Sequence, residues 1–354
     1  LYTSSNSLGP FSNFIQVNGI KVVSLGNIGG QDGVDKKFSL KTARVIQEIL
    51  SNKGSNVDIA LQNTLISSLS EKSTIQRVGV ESMDSYRSSL SDEPGWDNLM
   101  DSTQNTDFIW QQNNVSGNSQ ATEVIEHVLH TVTKFGLPAV FNSEFDYGSS
   151  KSLISRAFEE AKSNGVYSDE DYSAGDENDS DFQSMLKQEY LYCLIYANWG
   201  MIESHVDGGT LAPEWSNSHL DSQAIGRDNP LGQRIFDEYI SKVIAQPNQE
   251  ILDLQFRDLG GGIELYTPDG LNLIGNDGIS DSLKGTNGSD TLIGKSGNDV
   301  LAATRGSDYL EGGSGNDELR AGNGRDIITG GAGGDTMYGG FGLNTFEDAD
   351  DGEI

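Results

Sequence analysis

The sequence predicts a multidomain protein, with a mainly α-helical (α+β) N-terminal domain followed by a parallel β-roll of nonapeptide repeats. An Asp or Asn recurs at every ninth position from Asn272 to Asn344, among many glycines. Upstream of these repeats, apolar residues recur at the three- and four-residue spacing of amphipathic helices. We therefore predict a helical domain over residues 1–260, a roll over 266–346 and an acidic tail over 347–354.

Composition narrows the classes of function. The 354 residues are enough for two or three domains, and 35% of them are hydrophobic. The 53 acidic residues outnumber the 23 basic ones, which leaves a net charge of −30. Such a chain repels nucleic-acid phosphates and anionic membrane surfaces, and it attracts divalent cations. We therefore expect no nucleic-acid partner.

The single cysteine and the lack of long apolar runs set further limits. Cys193 has no second cysteine to pair with, so an internal disulfide is excluded. No stretch reaches the roughly 18 apolar residues of a membrane span. The first residues lack the basic region and apolar core of a Sec-type signal, so we expect a processed form or a piece of a longer chain.

Three residue types keep a common nine-residue register through the repeats. The acidic or amide position is occupied by Asn272, Asp281, Asp290, Asp299, Asp308, Asp317, Asp326, Asp335 and Asn344. Two residues later comes a large apolar residue: Ile274, Leu283, Leu292, Leu301, Leu310, Leu319, Ile328, Met337 or Phe346. Two residues earlier comes Gly, with Ile279 as the exception. Because glycine permits the positive φ of a tight turn, we predict short strands whose apolar residues point inward and stack into a narrow core.

This pattern resembles the RTX (repeats-in-toxin) family of calcium-binding proteins. The resemblance implies that successive repeats alternate between two sides of a roll, and that each Ca²⁺ lies between Asp residues two repeats apart. One predicted row of calcium ligands contains Asp281, Asp299, Asp317 and Asp335, and the other contains Asp290, Asp308 and Asp326. Carboxylates and turn carbonyls are the hard oxygen ligands that Ca²⁺ prefers. Asn replaces Asp at both ends, so we expect weaker terminal sites; the competing interpretation of the whole region is a disordered linker.

The same resemblance has implications for location. RTX proteins typically leave the cell through a type I secretion exporter that reads a C-terminal signal, so we expect a secreted protein, extracellular or at the cell surface. Its other partner is then an extracellular substrate or ligand, which the sequence does not identify. The acidic residues after the last repeat are few for such a signal.

The N-terminal domain shows a few predicted strands and several predicted helices. Residues 12–26 look extended, with Asn18-Gly19 as a hairpin turn. Apolar periodicity predicts helices over residues 40–50, 57–69, 119–135, 152–163, 182–201 and 235–244. Residues 169–181 are strongly acidic and are predicted to form a solvated loop, because they lack the EF-hand spacing and glycine.

One predicted helix gathers polar side chains of a kind that binds metals. At 100° per residue, Glu123, Glu126, His127 and His130 fall within one arc, opposite an apolar arc. Glu126 and His130 are four residues apart, which lets two side chains bind one metal ion. Glu123 and His127 form an alternative pair at the same spacing. On a later helix, Glu189 shares its face with apolar residues, so its carboxylate needs a partner.

We therefore hypothesise that Glu126, His130 and Glu189 bind one Zn²⁺, and that His127 or Glu123 transfers the proton in a metal-dependent hydrolysis. The arrangement loosely resembles metallopeptidases of the zincin type, whose third ligand is a Glu on a later helix. The zincin motif is His-Glu-x-x-His, however, and here its first two residues are exchanged. Reserve ligands are His205, Glu214 and His219. An exposed amphipathic helix would show the same polar arc, and Glu189 would then pair with a basic group near Lys187 or with a backbone donor.

Two functions follow as alternatives. The first is a secreted calcium-binding protein whose helical domain is a peptidase-like metallohydrolase. The second is a non-catalytic extracellular surface or matrix protein, in which calcium serves folding and secretion. The absence of the Gly-x-Ser-x-Gly nucleophile motif argues against a lipase. The extended zinc motif of the serralysins is also absent, and Cys193 fits a core position better than that of a nucleophile.

Overall fold

The computed structural model describes residues 3–4, 9–28, 30–52, 56–82, 105–172, 175–176, 179–256, 272–285 and 288–347. The chain divides into two compact units, one from Tyr2 to Leu265 and one from Tyr266 to Ile354. The first unit is helical with one sheet, and the second is a parallel β-roll, so the predicted fold class is confirmed. The predicted glycine linker near residue 260 and nearly all of the acidic tail lie outside the described residues.

The N-terminal unit contains one five-stranded sheet among its described residues. Its strands are β1 (Thr3–Ser4), β2 (Phe11–Val17), β3 (Ile20–Leu25), β4 (Ile75–Val80) and β5 (Asn105–Gln111), in that spatial order. The first two pairings are antiparallel, and β3, β4 and β5 run parallel to one another. The predicted hairpin is confirmed, since Asn18 and Gly19 take φ angles of 41° and 79° between β2 and β3. The sequence did not predict β4 and β5.

The helices of this unit match most of the predicted segments. They are α1 (Lys36–Ile49), α2 (Ile59–Glu71), α3 (Gly117–Phe135), α4 (Leu137–Val140), α5 (Leu153–Ser163), α6 (Ser180–Asn198), α7 (Ile202–His205), α8 (Ser222–Asp228), α9 (Pro230–Ile235), α10 (Ser241–Val243) and α11 (Gln249–Phe256). A 3-10 turn, Glu170–Tyr172, lies within the predicted acidic loop. A single π-helical turn, Phe236–Ile240, joins α9 to α10, where the sequence predicted one continuous helix. No helix of the described part is long and apolar enough to span a membrane.

Helix α3 occupies the centre of the unit. The Ser116 side chain caps it by accepting a hydrogen bond from the backbone N–H of Ser119, and Gly136 ends it. It packs against β5, α6 and α1. The sequence led us to expect that the polar arc of this helix lies away from the core. That expectation is wrong for His130, whose residue is only 4% exposed, because α6 covers this side of α3.

The C-terminal unit is built of short strands that alternate between two parallel sheets. The even-numbered strands are β6 (Asn272–Ile274), β8 (Thr291–Ser296), β10 (Tyr309–Ser314), β12 (Ile327–Ala332) and β14 (Thr345–Glu347). The odd-numbered strands are β7 (Ser282–Lys284), β9 (Val300–Arg305), β11 (Glu318–Asn323) and β13 (Thr336–Tyr338). From β7 to β14, each residue pairs with the residue 18 positions later, so two nonapeptides complete one coil.

The core of the roll contains most of the predicted apolar positions. Five of them are fully buried, namely Leu292, Leu301, Leu310, Leu319 and Ile328. Leu283 and Met337 pack against this cluster and are partly buried. The prediction is wrong for Phe346, which is 52% exposed although it pairs with Ile328, because no further coil of the described chain covers it.

The prediction is also wrong for Ile274, which is 56% exposed. Leu273 packs against the core instead, because it pairs with Leu292, 19 residues later. The turn before Asp281 therefore holds one residue more than the later turns. Ile279, which breaks the glycine pattern, nevertheless occupies the glycine position of the coil, since its carbonyl lies against Gly297, 18 residues later.

Candidate metal centres

The predicted calcium ligands form two rows along the roll. In each row, the backbone N–H of one Asp donates to Oδ1 of the residue 18 positions later. The first row contains Asp281, Asp299, Asp317 and Asp335, joined by bonds of 2.7, 2.7 and 2.8 Å. The second contains Asp290, Asp308 and Asp326 and ends on Asn344. The structure thus brings together the residues of each predicted row.

Glycine at the start of each turn lets the carboxylate fold back across the backbone. A Cβ atom on Gly312 would lie 2.4 Å from Oδ2 of Asp317, and one on Gly294 would lie 2.4 Å from Oδ2 of Asp299. Either contact is far shorter than a carbon and an oxygen tolerate. The second carboxylate oxygen therefore lies inside the turn, where it faces backbone carbonyls such as that of Gly330.

These inner oxygens fit a bound cation. Oδ2 of Asp299 and of Asp317 is buried and accepts no hydrogen bond from the described residues. A buried carboxylate oxygen without a partner is costly, and a hard divalent cation is the natural partner for it. Burial raises the pKa of Asp317, and the negative charges of Asp335 and Asp299 raise it further, against a hydrogen bond from the Asp299 backbone N–H. The rows therefore suit Ca²⁺, with Asp carboxylates and turn carbonyls as the ligands.

Parallel strands, glycine turns and stacked carboxylates define the C-terminal unit as a calcium-binding β-roll. Residues 274–310, 284–319 and 311–346 match the family model of the RTX calcium-binding nonapeptide repeat. The region is thus an RTX repeat region, as predicted, and such repeats bind calcium. Comparisons with curated proteins and with solved structures find no match to the chain. The resemblance of the helical unit to metallopeptidases therefore stays a prediction.

The helical unit brings together the three residues predicted to bind zinc. One possible ligand atom from each of Glu126, His130 and Glu189 lies within 4.8 Å of the other two. Glu126 and His130 lie on successive turns of α3, and Glu189 comes from α6, which packs against α3. Nε2 of His130 lies 3.5 Å from Oε2 of Glu189, and it is buried without a closer hydrogen-bond partner among the described residues. We refer to these three residues as the Glu-His-Glu cluster.

Burial shifts the protonation of the Glu-His-Glu cluster. It raises the pKa of Glu126 to about 7, against the opposing effect of His127 and His130. For His130, burial favours the neutral form, but the contact with Glu189 and the charge of Glu126 outweigh it and raise the pKa to about 9. Two carboxylates and one imidazole are thus held close together with little access to water.

The two residues predicted to transfer protons lie beside the cluster. The His127 ring is 5.7 Å from the His130 ring, centroid to centroid. Nδ1 of His127 is 2.9 Å from the backbone carbonyl of Glu123, which leaves Nε2 as the nitrogen able to accept a proton. The Glu123 carboxylate accepts a hydrogen bond from the backbone N–H of Trp110 on β5, so it is held towards the sheet.

Three further side chains near the cluster were not predicted. The ring of Tyr192 stands edge-on to His130, at 6.1 Å between centroids, and its hydroxyl is buried without a hydrogen-bond partner among the described residues. Asp107 on β5 places Oδ2 3.9 Å from Nδ1 of His130. Tyr172 bonds to Glu214, a reserve ligand, whose pKa is raised by burial and by the charge of Glu189. Of these three residues, only Tyr192 could have been found from helical periodicity. Asp107 lies on a strand, and Tyr172 lies in a 3-10 turn.

The remaining candidates lie in other contacts. His219 bonds through Nε2 to Asp228, and His205 contacts Ser204 and Gln249. Neither joins the Glu-His-Glu cluster. Cys193 is fully buried, and burial raises the pKa of its thiol well above the usual value, which fits the predicted core position.

Proposed function

We propose that this chain is a secreted calcium-binding RTX protein whose helical unit is a metal-dependent hydrolase of the peptidase type. The RTX repeats support secretion, because proteins with such repeats typically leave the cell and fold where calcium is plentiful. Their Asp rows place like charges together, which disfavours folding wherever calcium is scarce. The type I exporter and the extracellular location belong to this proposal.

The observation that supports hydrolysis best is the convergence of Glu126, His130 and Glu189. Two oxygen ligands and one nitrogen ligand within 4.8 Å of one another give the number of protein ligands that a catalytic zinc ion uses, from residue types that bind zinc. Apart from Oε2 of Glu189 at 3.5 Å, the buried Nε2 of His130 has no polar partner among the described residues, as expected of a nitrogen that a metal ion would use. When bound, Zn²⁺ would supply an open coordination position and a water of lowered pKa.

The protein's own side chains have distinct roles in this proposal. Glu126, His130 and Glu189 hold the ion. His127 accepts the proton, because its Nδ1 is taken up by the Glu123 carbonyl and its ring lies next to that of His130. Glu123 orients α3 against the sheet through the Trp110 backbone N–H, which makes it the weaker of the two proton-transfer candidates. Asp107 faces the second nitrogen of His130 and helps to orient the ring.

One observation favours the alternative of a non-catalytic surface or matrix binding protein. The Glu-His-Glu cluster can balance its own charge, because the pKa of His130 is raised to about 9 and that of Glu126 to about 7. A protonated His130 between these carboxylates is then a buried ion pair with no need of a metal.

Zinc-edge anomalous scattering on crystals of protein never exposed to chelator tests the proposal. We expect a peak within bonding distance of Nε2 of His130, and one tightly held zinc per chain besides calcium. His130→Ala should remove that zinc and any hydrolytic activity, while His219→Asn should keep both, because His219 bonds to Asp228 outside the cluster. Calcium as the only metal would favour the binding protein instead.

A further inference from the structure

A separate pocket of 210 Å³ lies in the helical unit, away from the residues of the Glu-His-Glu cluster. Its lining consists of Ser143, Glu144, Lys151, Leu153, Arg156, Arg234 and Tyr239. Three of its seven lining residues are basic, although only 23 basic residues occur in a chain of net charge −30. We refer to it as the basic pocket.

Two of these cations lack acidic partners. Neither Lys151 nor Arg156 forms an ion pair with a carboxylate of the described residues, whereas Arg234 pairs with Glu238 at 2.8 Å. Together with Glu144, the five charged groups sum to one net positive charge (three cations less two carboxylates). In a strongly acidic protein, such a locally positive concave site is suited to a ligand that carries a single negative charge.

A rare backbone element shapes one wall of the basic pocket. The π-helical turn Phe236–Ile240 follows α9, and the backbone N–H of Ser241 bonds to the carbonyl of Phe236, five residues back. In an α-helix, Arg234 and Tyr239 would point about 140° apart, because five residues rotate by 500°. The wider turn brings them to the same pocket. π-turns inside helices are uncommon and occur frequently at functional sites.

The aromatic wall is held firmly in place. The Tyr239 ring packs edge-on against Phe141, at 5.1 Å between centroids, and against Phe145, at 6.1 Å. On the opposite side, the backbone N–H of Ile154 in α5 donates to the carbonyl of Glu144, which fixes the carboxylate-bearing loop to that helix. The pocket therefore combines cations, a half-buried ring and hydroxyl-binding groups on a rigid frame.

This combination favours one class of ligand. A bare inorganic anion would use the cations but would be repelled by Glu144 and would leave the Tyr239 ring unused. A sugar ring with one carboxylate would contact all of these groups. Its carboxylate contacts the arginines, its hydroxyls donate to Glu144 and Ser143, and its C–H face lies on Tyr239. We propose that the basic pocket binds an acidic sugar. This inference does not depend on metal binding or hydrolysis by the Glu-His-Glu cluster.

Titration calorimetry on the full chain in calcium buffer tests this, with methyl glucuronide as the probe. We expect a Kd on the order of 1 mM, and binding at least about tenfold weaker for methyl glucoside, which has the same ring without the charge. Inorganic sulfate is the control for an anion without a sugar ring, and it should also bind more weakly than the glucuronide.

Matched variants assign the binding to this pocket. Arg156→Gln and Arg234→Gln should each weaken glucuronide binding by about tenfold, since each removes a charge-assisted hydrogen bond. Arg227→Gln should leave it unchanged, because Arg227 pairs with Asp228 and does not line the pocket. Tyr239→Phe should retain binding, since the ring remains. Equal binding of glucoside and glucuronide, tighter binding of sulfate, or full binding by both pocket variants would each overturn the proposal, as would no binding at all.

Discussion

The two units of this protein place carboxylates in opposite electrostatic environments. In the helical unit, Asp228 accepts hydrogen bonds from Arg227 and lies 2.8 Å from Nε2 of His219, and its pKa falls to about 2, chiefly through the hydrogen bond from Arg227. In the roll, Asp317 lies between Asp299 and Asp335, and its pKa rises. The same residue type therefore stabilises the folded state in one unit and opposes it in the other.

This difference indicates which interactions stabilise each unit. The helical unit buries large side chains such as Trp215, Tyr190 and Phe158 and contains ion pairs such as that of Lys162 with Asp169. The roll has a narrow apolar core, and Oδ2 of Asp299 and of Asp317 is buried without a hydrogen bond from the described residues. We therefore expect one unit to fold unaided and the other to depend on calcium.

Removal of calcium should separate the two units most strongly. In EDTA, we expect the β signal of the roll to vanish from the circular dichroism spectrum, because the Asp rows repel one another without an ion. The four tryptophans all lie before the roll, so their fluorescence reports the helical unit alone and should not change. Calcium should restore the β signal. A roll that stays folded in EDTA would show that its hydrogen bonds suffice.

Within the roll, a central carboxylate should matter more than a terminal amide. Asp308 contacts residues of the coils on both sides, through its N–H to Asp326 and its Oδ1 to Asp290, and so it borders two predicted calcium sites. We expect Asp308→Ala to weaken calcium binding by at least about tenfold. Asn344→Ala should have a much smaller effect in the same calorimetric titration. Equal losses would contradict the pairing of ligands across coils.

Acid should change the stability of the two units in opposite directions. The lowered pKa of Asp228 contributes stability above the unfolded value of roughly 3.9, and this contribution is lost as the pH falls towards about 2. The raised pKa of Asp317 means that the folded roll binds protons more tightly, so the calcium-free roll gains stability as the pH falls from 7 towards 4.

Two measurements in EDTA follow these trends. Urea unfolding monitored by tryptophan fluorescence gives the stability of the helical unit at each pH, and circular dichroism without urea gives the β signal that the roll regains as the pH falls. Asp228→Asn should remove part of the acid sensitivity of the helical unit, and Asp317→Asn part of the acid gain of the roll. Parallel pH profiles for the two signals would refute the contrast in charge environment.

The smallest expected effect concerns two strained turns of the roll. Lys295 and Thr304 take φ angles of 77° and 94°, where their partners in the next coil, Gly313 and Gly322, take 104° and 108°. A β-branched residue is poorly suited to this conformation. We expect Thr304→Gly to stabilise the calcium-bound roll by about 1 kcal/mol in urea unfolding. Thr336→Gly, on an exposed strand, should instead destabilise it by a similar amount.

The repeats were predictable because Gly, an Asp or Asn and a large apolar residue recur at the same spacing in successive nonapeptides. The sequence could not reveal the insertion before Asp281, however, since Asn272 happens to keep the nine-residue count. Leu273 and Ile274 are equally apolar, and only strand pairing decides which of them points inward. In the helical unit, β4 was missed because Gln76, Arg77 and Gly79 interrupt the apolar pattern of a buried parallel strand, and β5 was missed because its first three residues are polar.

The Glu-His-Glu cluster was predicted from spacing on one helix and from a carboxylate among apolar neighbours on another. Those are local patterns, and helix packing then brought the two together. Its surroundings were not predictable, because Asp107 and Tyr172 come from a strand and a 3-10 turn far apart in sequence. The sequence did not predict the basic pocket either, because residue spacing does not indicate the π-helical turn that brings Arg234 and Tyr239 to it.

The hydrogen bonds along each Asp row all point the same way, so the two ends of the roll are not equivalent for truncation. Each Asp uses its N–H towards the coil that follows it and its carboxylate towards the coil that precedes it. Deleting coils from the C-terminal end leaves N–H donors at the new end of the roll, where water hydrates them. Deleting coils from the N-terminal end removes the N–H donors of the next coil's carboxylates, so negative charge that these donors had partly balanced faces solvent. Trimming from Phe346 backwards therefore exposes donors, whereas trimming from Asn272 forwards exposes carboxylates.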